Sequence, residues 1–444
     1  MQVKSTKYNI FVLLLVIYSH LNYNISIIKT KNCFYFFVKG GVGMLIEFKV
    51  ENFKSIKDVI SFSMEKGAKV RKTANTQFNI IECDKKYALL KSALIFGANA
   101  SGKSNFLEAL ETLRNLIMFT TDTVVDKLAY NPYANSIHPT SFQIIFLKNN
   151  VEYDYTVSYN SEQIHTEVLK KNDNLVFDRS LPFEENIRDN QTLLYYYQKH
   201  NQKDSSEVFK WFAEDLIFES DNNFSDKLLY STINDANIKH KFLKILKHAD
   251  FNIIDVRLLD IPPHKSFIKI VESNIEDKNI RDKVIKDSHE TTLLLVHKSN
   301  EIGEFDLLLK NESLGTQAAI KFILTMLSYN SGKVLLFDEF DTSFHINLSK
   351  TLLSLINSEF QNSQFILTSH QPELMSHRLR KDQIYFTEKD EDGQTTLYSL
   401  FDFRQTDTRT DGKNYTKKYL AGRFGGLPII DEDEILEILG KSYG

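Results

Sequence analysis

The chain has 444 residues and carries 54 basic against 58 acidic side chains, a formal net charge of -4. Hydrophobic residues at 42% and charged residues at 25% exclude a disordered chain and a membrane-embedded body. The near-balanced charge argues against a broad surface that coats nucleic acid, while leaving room for a local basic patch. Length admits two or three average domains, or a single large α/β head with an inserted lobe. Two cysteines, Cys33 and Cys83, are too few and too far apart for a disulfide framework or a zinc site. A reducing cytoplasm is the simple expectation.

Residues 10–18 form an unbroken apolar run preceded by Lys4 and Lys7. The run is too short to span a bilayer. It looks like the start of a signal peptide, but Tyr35, Phe36 and Phe37 follow where a small-residue cleavage site would be needed. Residues 1–43 are therefore read as a tail or a mis-assigned start, with folded sequence beginning at Met44. From there Leu45, Phe48 and Val50, then residues 59–63, predict an opening β-hairpin turned at residues 54–58.

Residues 93–96 are a short apolar strand that ends in a glycine-bearing loop. Leu107, Leu110, Leu113 and Ile117 then recur at helical spacing. Residues 140–185 return to strands, FQIIF and YDYTVSY, separated by the turn-like Lys148, Asn149 and Asn150. Residues 186–300 are polar, charged and poor in glycine, and are read as an inserted, mainly helical lobe. Two more apolar strands, at 334–337 and 365–368, bracket a helix carrying Leu348, Leu352, Leu353 and Ile356. That alternation implies a parallel sheet with crossover helices. The expected division is thus 1–43, then 44–185 and 301–444 as two parts of one head, with 186–300 between them.

Four segments carry chemistry. Gly97, Ala98, Asn99, Ala100, Ser101, Gly102, Lys103 and Ser104 have the spacing of a phosphate-binding loop, and the flanking strand and helix are of the right kind. Glycines let successive N–H groups point inward at phosphates, and the helix N-terminus adds its positive dipole end. Lys103 would pair with the β and γ phosphates and Ser104 would hold Mg²⁺. The bland alternative is a chance glycine turn.

Asp338 and Glu339 end the second apolar strand, where open α/β sheets place ligands. Asp338 would face the magnesium and Glu339 would act as general base on an attacking water. Alone, such a pair is a solvated strand end; downstream of a phosphate loop it gains meaning. His370 closes the third apolar strand after Thr368 and Ser369, placed to sense or polarise the γ-phosphate if the two strands are neighbours. Ser313 and Gly315 begin a helix bearing Ile320, Ile323, Leu324 and Leu327. By itself that is a capped helix start. A second anion site in one chain makes sense if each nucleotide is sandwiched between two copies.

In this order, the four segments resemble an ABC-type ATPase head of the SMC and RecF kind. In that resemblance residues 97–104 match the Walker A loop with Asn105 beside it, Ser313 and Gly315 sit at the signature, residues 334–339 match Walker B, and His370 matches the switch histidine. Asp341 falls at the D-loop position. More narrowly, GANASGKSN, NESLGTQ, LLFDEFDTSFH and YLAGRFGGLP look like the stand-alone ATPases of bacterial abortive-infection and other anti-phage systems. The resemblance implies a P-loop head with a parallel core sheet and an antiparallel β flank, ATP and Mg²⁺ as cofactors, ATP hydrolysis, a homodimer closed around ATP, and a cytoplasmic location away from membranes. It also implies a separate effector such as a TOPRIM-type nuclease, and leaves room for a higher oligomer and for contact with DNA or a phage component.

Two departures matter. Leu314 replaces a glycine of the family signature, and Gln143 is the nearest candidate for the Q-loop, where a plain strand residue is the simpler reading. Residues 186–300 lack sustained heptads, so long coiled arms are not expected. The expected function is a defence ATPase that licenses an effector. A RecF-like repair ATPase that binds DNA across the closed heads is the alternative, and an ATP-binding switch with slow turnover and a transporter motor are the further ones.

Overall fold

The computed structural model describes residues 25–30, 33–38 and 43–438, except 69, 71–75, 84–85, 120, 122, 183–185, 220–229, 276, 404–414 and 428–430. The expectation for residues 1–43 lies mostly outside that range, apart from an antiparallel pair, Ile25–Thr30 with Cys33–Val38.

The centre is a six-stranded sheet ordered Leu216–Phe218, Ser331–Phe337, Asn362–Ser369, Ser92–Gly97, Ile384–Lys389 and Thr395–Ser399. Every pairing in it is parallel except the last. The short apolar runs read from the sequence become these strands because a parallel sheet is covered on both faces. Side chains alternate accordingly. Ala93, Ile95, Val334, Leu336 and Ile366 join one core, while Leu94, Phe96, Leu335, Phe337, Phe365 and Leu367 join the other.

The first core is shared with the phosphate-loop helix, Lys103–Met118, and with a six-stranded antiparallel flank. The flank is ordered Asn174–Asp178, Ile164–Lys171, Val151–Tyr159, Thr140–Lys148, Gly43–Glu51 and Ile60–Ser63. Its last two strands are the opening hairpin expected from the sequence. Asn149 and Asn150 take positive φ of 56° and 62°, the backbone that a tight two-residue hairpin needs, between Lys148 and Val151 paired in register. Phe106 of the helix meets Phe48 at 5.8 Å and Phe62 at 5.2 Å, so aromatic packing fixes the helix against the flank.

The second core is closed by the helices Leu314–Ser328 and Ile346–Ile356. Leu352, Leu353 and Ile356 are buried and Leu348 is partly buried, as their spacing predicts. Residues 186–300 contain the helices Leu193–Lys199, Lys203–Lys210, Ala236–His248, Lys265–Asn274 and Lys278–Asp287. They also contain the edge strand Leu216–Phe218 of the central sheet. A second addition is an antiparallel sheet of Ile253–Ile261 and Glu290–Ser299, whose third strand Gly303–Leu308 runs past 300. Composition hides these strands because charged, glycine-poor sequence surrounds them, although residues 293–296 form a short apolar run of the kind a buried strand gives. Among the described residues no helix is long and apolar enough to cross a membrane.

One buried ionic cluster ties the flank to the central sheet. Asp215, 1% exposed, contacts Lys148 of the flank and accepts from Lys333 of the acidic strand at 2.7 Å. A carboxylate between two ammonium groups offsets their desolvation, and removing it leaves Lys148 buried without a counter-ion. Asp215→Ala should cost about 3 kcal/mol, read as a lowered urea midpoint.

Candidate nucleotide-binding site

Strand register sets the site. Phe96 pairs with Ser369, and Phe337 pairs with Leu367, so the glycine loop, the histidine and the acidic pair leave one sheet edge from three adjacent strands. The strand that ends at Ser369 lies between the other two, which makes it the physical link between loop and carboxylates.

The loop from Gly97 to Lys103 is built without slack. A Cβ on Gly97 would come within 2.4 Å of Thr387 Oγ1, and one on Gly102 within 2.2 Å of Thr395 Oγ1. Gly102 has φ of 108°, a conformation that side chains rarely adopt. Ser101 Oγ bonds Thr387 Oγ1 at 2.6 Å, and Thr395 Oγ1 donates to the Ser101 carbonyl at 2.9 Å. The helix that follows has Gly102 as its N-cap residue and no side-chain cap, so its first N–H groups remain available to an anion. Asn99 and Ala100 are exposed, Ser104 and Asn105 half-buried. The Asn105 amide donates to Ser55 Oγ at 2.6 Å, which engages it with the opening strands.

Lys103 is buried, and its ammonium donates to the Gly97 and Ala98 carbonyls at 2.9 and 3.0 Å. Burial lowers its pKa from the usual lysine range, and the charges of Asp338, Glu339 and Asp341 oppose that shift. Those three carboxylates therefore share one electrostatic neighbourhood with the ammonium.

Each acidic residue has a hydroxyl partner on the central strand. Thr368 Oγ1 donates to Asp338 Oδ1 at 2.5 Å and accepts from the Glu339 N–H at 2.6 Å. Ser369 Oγ donates to Asp341 Oδ2 at 2.5 Å. Glu339 has φ of 47°, a left-handed backbone that costs a non-glycine residue about 1–2 kcal/mol. The Thr368 contact and a 3.1 Å bond from Thr342 Oγ1 to Glu339 Oε2 hold it there. That turn brings Glu339 Oε1 within 3.4 Å of His370 Nε2. Asp341 is fully buried; burial raises its pKa, with Ser369 and the backbone N–H groups of Asp341 and His370 opposing the rise.

Ser313 and Gly315 stand elsewhere. Ser313 caps its own helix by accepting from the Thr316 N–H at 3.1 Å. Gly315 lies against the turn after Asp341, where an added Cβ would approach the Ser343 carbonyl to 2.7 Å. Leu314 between them is 77% exposed. Gln143 is a strand residue in a polar ladder, with Lys49 at 3.3 Å and Asp154 at 2.9 Å.

The residues fit a magnesium-bound nucleoside triphosphate. Glycine N–H groups and a buried ammonium suit the phosphates. Among the described residues no three His, Cys, Asp or Glu side chains are grouped to hold a metal. Magnesium held through phosphate oxygens needs only one or two protein ligands, which Ser104 and Asp338 would supply. The sequence reading noted Thr368 and Ser369 but gave them no role, and it missed Thr387, Thr395 and Ser55, since a hydroxyl at a strand end carries no signal until the neighbouring strand is known.

The architecture is an α/β head with a glycine-rich phosphate-type loop, a mostly parallel core sheet and an antiparallel β flank. Residues 92–376 match the family described as "AAA domain, putative AbiEii toxin, Type IV TA system", and the chain belongs to that family. It is 22% identical over 431 residues to "Retron Vc95 probable ATPase" of Vibrio cholerae serotype O1 biovar El Tor, covering 80% of each chain. Among solved structures it is similar to an SMC head bound to the C-terminal winged-helix domain of ScpA, at 14% identity and a TM-score of 0.42, covering 80% of this chain and 97% of that one. It is also similar to RecF with ATP, at 14% identity and a TM-score of 0.36, covering 81% of this chain and 100% of that one.

Thr368→Val keeps the shape of a fully buried side chain but leaves the Glu339 N–H without its partner. It should lower stability by about 1–3 kcal/mol, measured by chemical denaturation.

Proposed function

We propose that the chain binds Mg-ATP at the loop formed by residues 97–104 and hydrolyses it when two copies close face to face, and that closure governs a separate effector in defence against phage. The observation that carries this reading is the gathering of Lys103, Asp338, Glu339, Asp341 and His370 at the ends of three neighbouring parallel strands.

In this reading Gly97, Asn99, Ala100, Ser101, Gly102, Lys103, Ser104 and Asn105 surround the phosphates. Lys103 neutralises the β and γ oxygens, and Ser104 and Asp338 hold the metal. Bound magnesium supplies positive charge against the negative charge that grows on the phosphate oxygens. Glu339 takes the proton of the attacking water, and His370, 3.4 Å away, orients that carboxylate. Ser313 and Gly315 meet the nucleotide of the opposite copy, and Asp341 orders the turn between the two halves of the shared site.

Support for a defence role comes from two names. The family's description includes the AbiEii toxin and a toxin–antitoxin system, and the relative in Vibrio cholerae is a retron ATPase. The effector would be a second protein, with a TOPRIM-type nuclease the leading kind. Co-purification with the products of neighbouring genes, in the presence of ATP, tests that part; recovery of the head alone counts against it. Hydrolysis stimulated by duplex DNA, with a steep salt dependence, would instead favour a RecF-like repair ATPase.

Lys103→Ala should weaken ATP binding at least about 100-fold, or roughly 2.7 kcal/mol, in calorimetry. Glu339→Gln should keep ATP binding, slow hydrolysis by about 10²–10⁴ and accumulate closed dimers in light scattering. Normal turnover by that variant would refute the general-base role. Ser313→Arg should leave ATP binding by the monomer intact and block ATP-dependent dimerisation.

A further inference from the structure

The three-stranded sheet Ile253–Ile261, Glu290–Ser299 and Gly303–Leu308 meets the Ser313 segment at a buried polar contact. His297, on Glu290–Ser299, pairs in register with Phe305, and their rings stack with centroids 5.2 Å apart and planes at 18°. Its Nε2 lies 2.7 Å from Glu312 Oε1, with the two side chains 11% and 12% exposed. Neither atom makes a hydrogen bond of good geometry among the described residues, so what holds them together is burial side by side at ion-pair distance.

Glu312 is the residue just before the helix cap. Its carbonyl accepts from Gln317 Nε2 at 2.8 Å, which folds the segment over the first turn of its own helix. A carboxylate buried to this degree is costly unless it is paired, so the side chain cannot drift from His297 without penalty. The ring cannot drift either, because it is stacked on Phe305. Fixing Glu312 fixes the angle at which Ser313 and the bare backbone of Gly315 leave the lobe. A Cβ added at Gly315 would come within 2.7 Å of the Ser343 carbonyl, so the segment also lies close against that turn.

We propose that His297 is a positioning residue for the Ser313–Gly315 segment, holding Glu312 so that this segment meets the nucleotide of a second copy, and that the lobe sheet thereby sets how tightly two heads close. The proposal rests on the reading that Ser313 and Gly315 act across a dimer. It assigns the lobe a control point that touches neither the glycine loop nor the acidic strand.

His297→Phe tests it, because phenylalanine preserves the stack on Phe305 and removes only the polar partner. Dimerisation of the full chain is measured by analytical ultracentrifugation with magnesium and a non-hydrolysable ATP analogue, beside calorimetry of that analogue at protein concentrations where the chain is monomeric. The dimer dissociation constant should rise about tenfold, equal to about 1.4 kcal/mol, with analogue binding by the monomer unchanged within about a factor of two. A merely structural contact would lower the melting temperature without this split. Glu312→Gln keeps the shape and removes the charge, and should weaken dimerisation in the same direction.

If His297→Phe fails to fold, Glu312→Ala replaces it, with the same loss expected. Parent-like dimerisation by whichever variant folds overturns the proposal. When Ser313→Arg blocks dimerisation and these variants do not, the positioning role alone falls. When Ser313→Arg dimerises freely, the dimer reading falls and the proposal goes with it.

Discussion

A buried ammonium facing three carboxylates is the constraint on which the rest of the structure depends. Lys103 has given up water, and its hydrogen bonds to the carbonyls of Gly97 and Ala98 carry only partial charge. Asp338, Glu339 and Asp341 offset part of the remaining desolvation. Those residues lie more than 200 positions away in sequence, so the fold must return the chain to the same sheet edge. Parallel pairing with crossover helices does this, because every strand then ends on the same side.

The strand that ends at Ser369 does more than lie between the two halves. It supplies a hydroxyl to Asp338 and another to Asp341, and it offers Thr368 Oγ1 to the strained N–H of Glu339. Left-handed backbone at a glutamate is unfavourable by itself. Here it turns the carboxylate off the strand axis towards His370, which a regular extended continuation would not do. The strain and the hydroxyl contacts thus form one device: the first aims the side chain, the second keeps it aimed.

Much of this was legible in the sequence, for physical reasons. A parallel strand must be apolar on both faces, so residues 93–96, 334–337 and 365–368 stand out without ambiguity. Glycines at 97 and 102 are forced by close approach to Thr387 and Thr395, which makes the loop spacing hard to produce by chance. Strand order was less accessible. Nothing in the residues says that the histidine strand separates the other two, and the hydroxyl contacts follow only from that order. Residues 186–300 were the least readable part, because the strands Ile253–Ile261 and Glu290–Ser299 are separated by two helices rich in charge, and that charge dominates the composition. His297 could not be distinguished there, since a lone histidine in a strand acquires meaning only when Glu312 is found beside it.

The turn that follows the acidic strand gives this geometry its consequence. Thr342 N–H donates to the Glu339 carbonyl at 3.0 Å and Phe344 N–H to the Asp341 carbonyl at 3.0 Å, so residues 339–344 fold as one tight unit. At one end the unit carries the glutamate that faces His370; at the other, the Ser343 carbonyl presses on Gly315 with no room for even one more carbon. Closely packed contacts of this kind transmit displacement, because they can neither compress nor open without losing dispersion energy and hydrogen bonds. The same turn thus carries Glu339 at one end and lies against Gly315 at the other. The N-terminus of that helix is exposed at Ser313 and Leu314 and is braced from behind by Glu312 and His297. The start of that helix therefore lies between the turn at Ser343 on one side and the His297–Glu312 contact on the other.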